Sequence, residues 1–169
     1  VRITVSTSCF IPKPHSPFQW EAQVSMEEYR RRVELLRSSI TAKNVSYNWH
    51  DPDTSFVEAA LSRGDRKIAD VIEAVWRAGG RMEAWSDYFR FERWVRAFED
   101  CGLDPAFYAS RERGEDEVLP WCRVNMGVRE SLLLRERHRA YEAQLSPDCR
   151  AACSACGAAA LLEEGRCDG

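Results

Sequence analysis

Four of the chain's seven cysteines fall in its last 21 residues. Cys149, Cys153, Cys156 and Cys167 form a C-x3-C-x2-C-x10-C pattern behind Ser146-Pro147-Asp148. Thiolates two or three residues apart can wrap one ion, because a tight turn carries both sulfurs to a bonding distance of about 2.3 Å. Four thiolates suit zinc or an iron–sulfur cluster and reject hard cations. The competing reading is a frayed tail with free thiols, since Ala151-Ala152 and Ala158-Ala159-Ala160 supply little that orders a loop. The close trio favours a metal or cluster, with Cys167 as the distant fourth ligand.

A second set of polar groups sits in Phe10-Ile11-Pro12-Lys13-Pro14-His15-Ser16-Pro17-Phe18-Gln19-Trp20. Three prolines forbid helix and favour a stiff, extended segment. Lys13 and His15 are its candidates for chemistry, against the plainer reading of a rigid surface connector. His50-Asp51-Pro52-Asp53 resembles a set of ligands or acid–base groups, but Asp53 is well placed as a helix cap, with Pro52 setting the approach. Arg63-Gly64-Asp65-Arg66-Lys67 could hold phosphate, yet Gly64 and Asp65 are explained by one helix ending and the next beginning.

These segments need elements to position them. Val1, Ile3 and Val5 alternate with Arg2, Thr4 and Ser6, which predicts a strand over Val1 to Phe10. Ser25 and Glu28 make a capping box for a helix from Met26 to about Ala42, with Tyr29, Val33, Leu36 and Ile40 at helical spacing. Val45 to Trp49 alternates again, so the opening reads as a βαβ unit. Two strands are too few for a stable parallel sheet, and the expectation is that their sheet partners lie upstream. Beyond Asp53 the pattern is helical: one helix around Phe56 to Leu61, closed by Gly64, and another from Asp65 to Gly79. A third spans Asp87 to Asp100, with Tyr88, Phe91, Trp94, Val95 and Phe98 inward. A short turn is predicted at Pro105 to Tyr108, an irregular stretch from Ser110 to Gly127, and a charged helix from Arg129 to Gln144.

The 169 residues are 44% hydrophobic and 30% charged, a globular composition. A net charge of −3 provides no general attraction for nucleic acid or anionic lipid. No apolar run approaches the roughly 20 residues that span a bilayer. Val1-Arg2-Ile3 opens no secretory h-region, and an odd cysteine count argues against a disulfide framework, so a cytoplasmic protein is expected. Arg129, Arg135, Arg137, His138 and Arg139 could contact nucleic acid, but Glu130 and Glu136 between them favour a solvated helix face.

Several of these segments together resemble a family. Val5-Ser6-Thr7-Ser8 with the Phe10 to Trp20 loop looks like the end of the barrel in cobalamin-binding-domain radical-SAM proteins of unassigned function. The likeness continues through Trp49-His50-Asp51-Pro52-Asp53-Thr54-Ser55, Arg63-Gly64-Asp65-Arg66 and Trp85-Ser86. Gly102-Leu103-Asp104-Pro105-Ala106-Phe107-Tyr108, Leu119-Pro120-Trp121, Gly127-Val128 and Asp148-Cys149-Arg150 complete it. The resemblance implies a parent protein with a cobalamin-binding-like domain, then a partial (β/α) barrel holding a [4Fe–4S] cluster. That cluster would cleave S-adenosylmethionine reductively to a 5′-deoxyadenosyl radical. The Phe10 to Trp20 loop is also loosely similar to a segment that ends the barrel in methylthiotransferases, which implies a place near substrate for Lys13 and His15. The trio Cys149, Cys153 and Cys156 has the spacing of the superfamily's cluster ligands. It is not read as that motif, because Ala155 stands where an aromatic is usual and the superfamily's motif follows the first barrel strand. At the tail the chain departs from the family: Ala151 stands in the region of a Trp and Ala159 where a fourth cysteine is expected.

The combined expectation is a mostly α chain with a short β element, a terminal βα(β) piece of a partial (β/α) barrel followed by a helical extension. Residues 1–50 would end the barrel, 51–145 form the extension and 146–169 the cysteine-rich tail. The chain alone is expected to be inactive, its main partner being the upstream barrel of the same protein. Its tail would hold an accessory iron–sulfur cluster or zinc. The rival expectation is an independent helical zinc-binding interaction module.

Overall fold

The computed structural model describes residues 1–161. Two strands, β1 (Ile3–Thr7) and β2 (Val45–Trp49), pair in parallel around the helix that joins them, α1 (Met26–Ser39). Ile3 faces Val45 and Thr7 faces Trp49, so the two runs of alternating residues are in step along their whole length. Four helices follow: α2 (Pro52–Ser62), α3 (Ile68–Arg77), α4 (Phe91–Asp100) and α5 (Pro105–Ala109). After an irregular stretch come α6 (Glu130–Tyr141) and a 3-10 turn over Ala158–Leu161. The chain is mostly helical with one short parallel β element, as expected. No helix among the described residues is long and apolar enough to cross a membrane.

The chain divides into two compact units. The first combines Val1–Ile11 with Ala22–Glu112, the second Pro12–Glu21 with the chain from Arg113 onward. In the first unit, Val57, Ala60, Val71, Val75, Trp94 and Phe98 build the main core of α2, α3 and α4, with Tyr108 and Ala109 of α5 packed into it. Gly64 lies against this core: a Cβ there would lie 2.2 Å from Ile68 Cγ1 and 3.0 Å from the Ala60 carbonyl. The turn from α2 into α3 therefore needs a residue without a side chain. A smaller cluster joins Tyr29 and Val33 of α1 to Cys9, with Val24 and Tyr47 against it. In the second unit, Trp20, Leu119, Trp121 and Leu133 form a separate core.

Several boundaries differ from the sequence expectation. Ser25 Oγ accepts the Glu28 N–H at 3.2 Å, but the Glu28 carboxylate turns outward to Arg31 and Arg32, which hold its pKa down at about 2. Helix α1 stops at Ser39 and not near Ala42, because the Ser38 and Ser39 hydroxyls bond back to the Leu35 carbonyl and Ile40 turns extended. The cap of α2 is Asp51, not Asp53: its carboxylate accepts the Thr54 N–H at 2.8 Å. Pro52 occupies the first helical position, where no N–H is needed, and this starts the helix two residues earlier. Helix α4 starts at Phe91 instead of Asp87, since residues 82–90 are occupied by successive turns and Glu83 takes the Arg90 N–H. Tyr88 is consequently exposed, whereas Trp94 and Phe98 point inward as expected. Helix α6 is shorter than Arg129 to Gln144, ending where Ala143 adopts φ 54°.

Candidate functional site

A parallel sheet presents its loops for chemistry at the carboxyl ends of its strands. Here those ends are Thr7 and Trp49, and the His50 N–H reaches the Thr7 carbonyl at 3.1 Å, closing the edge. The Tyr29 hydroxyl donates to the His50 carbonyl at 3.0 Å, which fixes the backbone where β2 passes into α2. Beside this edge lies a cleft of about 320 Å³, bordered by Trp49, His50, Asp51, Glu58, Glu83 and Ser86. The side chain of His50 is exposed there, while Asp51 is committed to capping. Asp53 points to Arg30 of α1, and burial raises its carboxyl above the usual range against the opposing pull of that guanidinium. The cluster read in sequence as His50-Asp51-Pro52-Asp53 is thus mostly a helix start; His50 and Asp51 both border the cleft, and Asp51 is committed to the cap.

Glu83 is equally committed. Its carboxylate receives the Trp94 indole N–H at 3.3 Å, the Arg90 N–H at 3.2 Å and the Arg93 guanidinium. Arg63 is fully buried and donates to the Ala109 carbonyl at 3.0 Å, so it ties α2 to α5 and is withdrawn from any phosphate. Asp65 accepts the Lys67 N–H at 2.9 Å and the Tyr108 hydroxyl at 3.4 Å, a turn-stabilising role. Gln23, unremarked in the sequence, is buried and donates to the Ser55 carbonyl at 3.2 Å and to Cys9 Sγ at 3.4 Å. Burial pushes the Cys9 thiol pKa up, partly offset by that amide.

The proline-rich loop belongs to the second unit. Ser16 Oγ donates to the Lys13 carbonyl at 2.7 Å, and the Gln19 N–H to the Ser16 carbonyl at 3.1 Å. Gln19 is 3% exposed, and its amide oxygen accepts both the His15 N–H at 2.9 Å and the Trp121 indole N–H at 2.7 Å. One buried amide therefore holds His15 at φ 58°, a left-handed conformation costly for a non-glycine residue. Lys13 lies exposed and His15 half-buried. The loop is not the extended segment expected of its prolines: residues 14–20 form successive turns, closed by the Ser16 and Gln19 hydrogen bonds.

In the tail, Asp148 organises a turn: its carboxylate accepts the Arg150 N–H at 2.8 Å, and its carbonyl accepts the Ala151 and Ala152 N–H groups. Cys149 and Cys153 are exposed and Cys156 is half-buried. The next turn is anchored to α6, where the Cys156 carbonyl receives the Arg129 N–H at 2.8 Å and the Ser154 carbonyl receives Arg135 Nη2 at 2.5 Å. Gly157, at φ 95°, leaves no room for a Cβ, which would lie 2.8 Å from the Gly127 carbonyl. The Ala158 N–H points at Cys156 Sγ, 3.3 Å away, the sort of contact that orients a ligating sulfur. Among the described residues, no three His, Cys, Asp or Glu side chains converge as a metal site. The described thiols by themselves therefore do not form a closed ligand set, and Cys167 lies outside the described residues.

The cations of α6 are internally engaged. Arg137 meets Glu21 at 2.7 Å and Glu115 at 2.5 Å, His138 meets Glu115 at 2.8 Å, and Arg139 meets Glu136 at 3.4 Å. This is a helix face laced by carboxylates, not a row of cations open to phosphates. Comparisons with family models, curated proteins and solved structures found no match to the chain.

Proposed function

We propose that the chain is the C-terminal part of a radical-SAM enzyme. It would supply two barrel strands with their crossover helix, a loop near substrate, and a tail that holds an accessory iron–sulfur cluster or zinc. The observation that carries the reading is the form of the sheet. Helix α1 covers one face through Tyr29 and Val33 against Tyr47, while Thr4, Ser6, Ser46 and Asn48 on the other face are exposed. In a (β/α) barrel the helix-covered face is the outer one and the opposite face looks into the barrel. Small polar residues there suit a barrel that encloses a cofactor and substrate rather than one packed solid. Among the described residues the sheet also has only two strands, which leaves each with one unpaired lateral edge.

On this reading the barrel's own cluster and S-adenosylmethionine are held upstream, with cobalamin as a further cofactor of the parent, and the location is the cytoplasm. The radical chemistry is supplied by those groups. This chain's share is positional: Gln19 fixes His15 and the turn that carries Lys13, and Tyr29 fixes the His50 backbone at the carboxyl edge of the sheet. The rival, an independent zinc-binding module, draws on the Ala158 N–H directed at Cys156 Sγ. Amide hydrogen exchange separates the two. The proposal expects β1 amides to exchange fast in the isolated chain and to become protected in a longer protein that includes the upstream residues. Full protection of β1 in the isolated chain would instead favour the independent module.

A further inference from the structure

The second unit contains a groove of about 830 Å³ that the proposed barrel chemistry does not use. Its floor is Leu119, Trp121, Leu133 and Leu134, which also form part of the unit's core. Along its length Val118, Val124 and Met126 are 82%, 55% and 54% exposed, an apolar strip open to water. Among the described residues four carboxylates line it, those of Glu115, Asp116, Glu117 and Glu130, and no lysine or arginine does; His15 is the one basic side chain among them. Glu115 is neutralised in part by Arg137 and His138, whereas Asp116 and Glu130 have no ion-pair partner among the described residues.

We propose that this groove docks a basic, amphipathic helical segment of a partner protein. Apolar anchors at helical spacing would fill the strip, and lysines or arginines flanking them would meet Asp116 and Glu130. An open strip of valines with a flexible methionine adapts to such a helix. A small polyamine would satisfy the carboxylates but leave Val118, Val124 and Met126 in water, which favours the peptide. The proposal stands apart from the radical-SAM reading, because it uses only the groove's own charge and shape.

The test uses the whole chain and a fluorescein-labelled amphipathic Leu–Lys helix, with a Leu–Glu helix of the same length and spermidine as competitors. The Leu–Lys helix should bind at least about tenfold more tightly than the Leu–Glu helix at low ionic strength, and added salt should weaken it. Asp116→Asn with Glu130→Gln, and separately Val124→Ser with Met126→Ser, should each weaken binding about threefold to tenfold. These positions are exposed, and circular dichroism checks that the variants stay folded. Glu73→Gln, on an exposed position of α3 in the other unit, should leave affinity unchanged. No binding of the Leu–Lys helix, equal affinity for both peptides, or unchanged affinity in both groove variants would overturn the proposal. Spermidine binding that is insensitive to the Val124 and Met126 changes, and that displaces the peptide at equal concentration, would also overturn it and reassign the groove to a small polyamine.

Discussion

Asp51 shows how narrow the margin is between a structural and a catalytic reading of the same residues. Two aspartates separated by a proline both fit a helix start, and the difference lies in which residue the proline follows. Because Pro52 lacks an N–H and has a preset φ, the helix begins on it and the residue before becomes the cap. Asp51→Ala should therefore destabilise the chain by about 1 kcal/mol in urea unfolding. Asp53→Ala, which removes a half-exposed contact to Arg30 whose carboxylate is partly desolvated, should cost less than Asp51→Ala. The opposite order would mean that the cap is misassigned. With Asp51 capping α2 and Asp53 paired to Arg30, His50 is the member of this cluster left to act at the cleft.

At the scale of elements, what the sequence revealed and what it concealed divide along physical lines. Strand β2 and its pairing with β1 were legible because a period-2 run lies on either side of an amphipathic helix, although β1 is confined to Ile3–Thr7 within the expected Val1 to Phe10. Helix α3 was legible because Ile68, Val71 and Val75 fall on one stripe. The start of α4 was not, because Tyr88 continues the helical period while Glu83 draws the backbone into turns through a contact seven residues away. Local pattern carries no record of such a contact. Gln19 was missed for a similar reason: its partner Trp121 lies 102 residues on, and a glutamine between two aromatics gives no hint of burial. Gln19→Ala should strand the Trp121 indole N–H and the His15 N–H, lowering stability by about 1–3 kcal/mol. It should also release His15 from its left-handed conformation, seen as altered His15 backbone chemical shifts. An unchanged His15 environment would show that the prolines alone set the loop.

For the molecule as a whole, two parts of the proposed account need evidence of different kinds. The tail reading concerns Cys149, Cys153 and Cys156; the turn around Cys156 is anchored to α6, but the described sulfurs do not converge. Ligation would draw them together and order the tail, since metal binding and local folding are one equilibrium in such sites. Anaerobically purified protein should contain stoichiometric iron or zinc that Cys153→Ser loses. Retention of the metal in Cys167→Ser would leave a three-cysteine site with an open position, and metal-free wild-type protein with all thiols reactive would mean a frayed tail. The larger claim, that this chain completes a radical-SAM barrel, is tested by 5′-deoxyadenosine. Protein that includes the upstream residues, reconstituted with iron and sulfide and reduced with dithionite, should form it from S-adenosylmethionine, and the 169-residue chain should not. Formation by the 169-residue chain alone, or its absence from the longer protein with its cluster intact, would contradict the account.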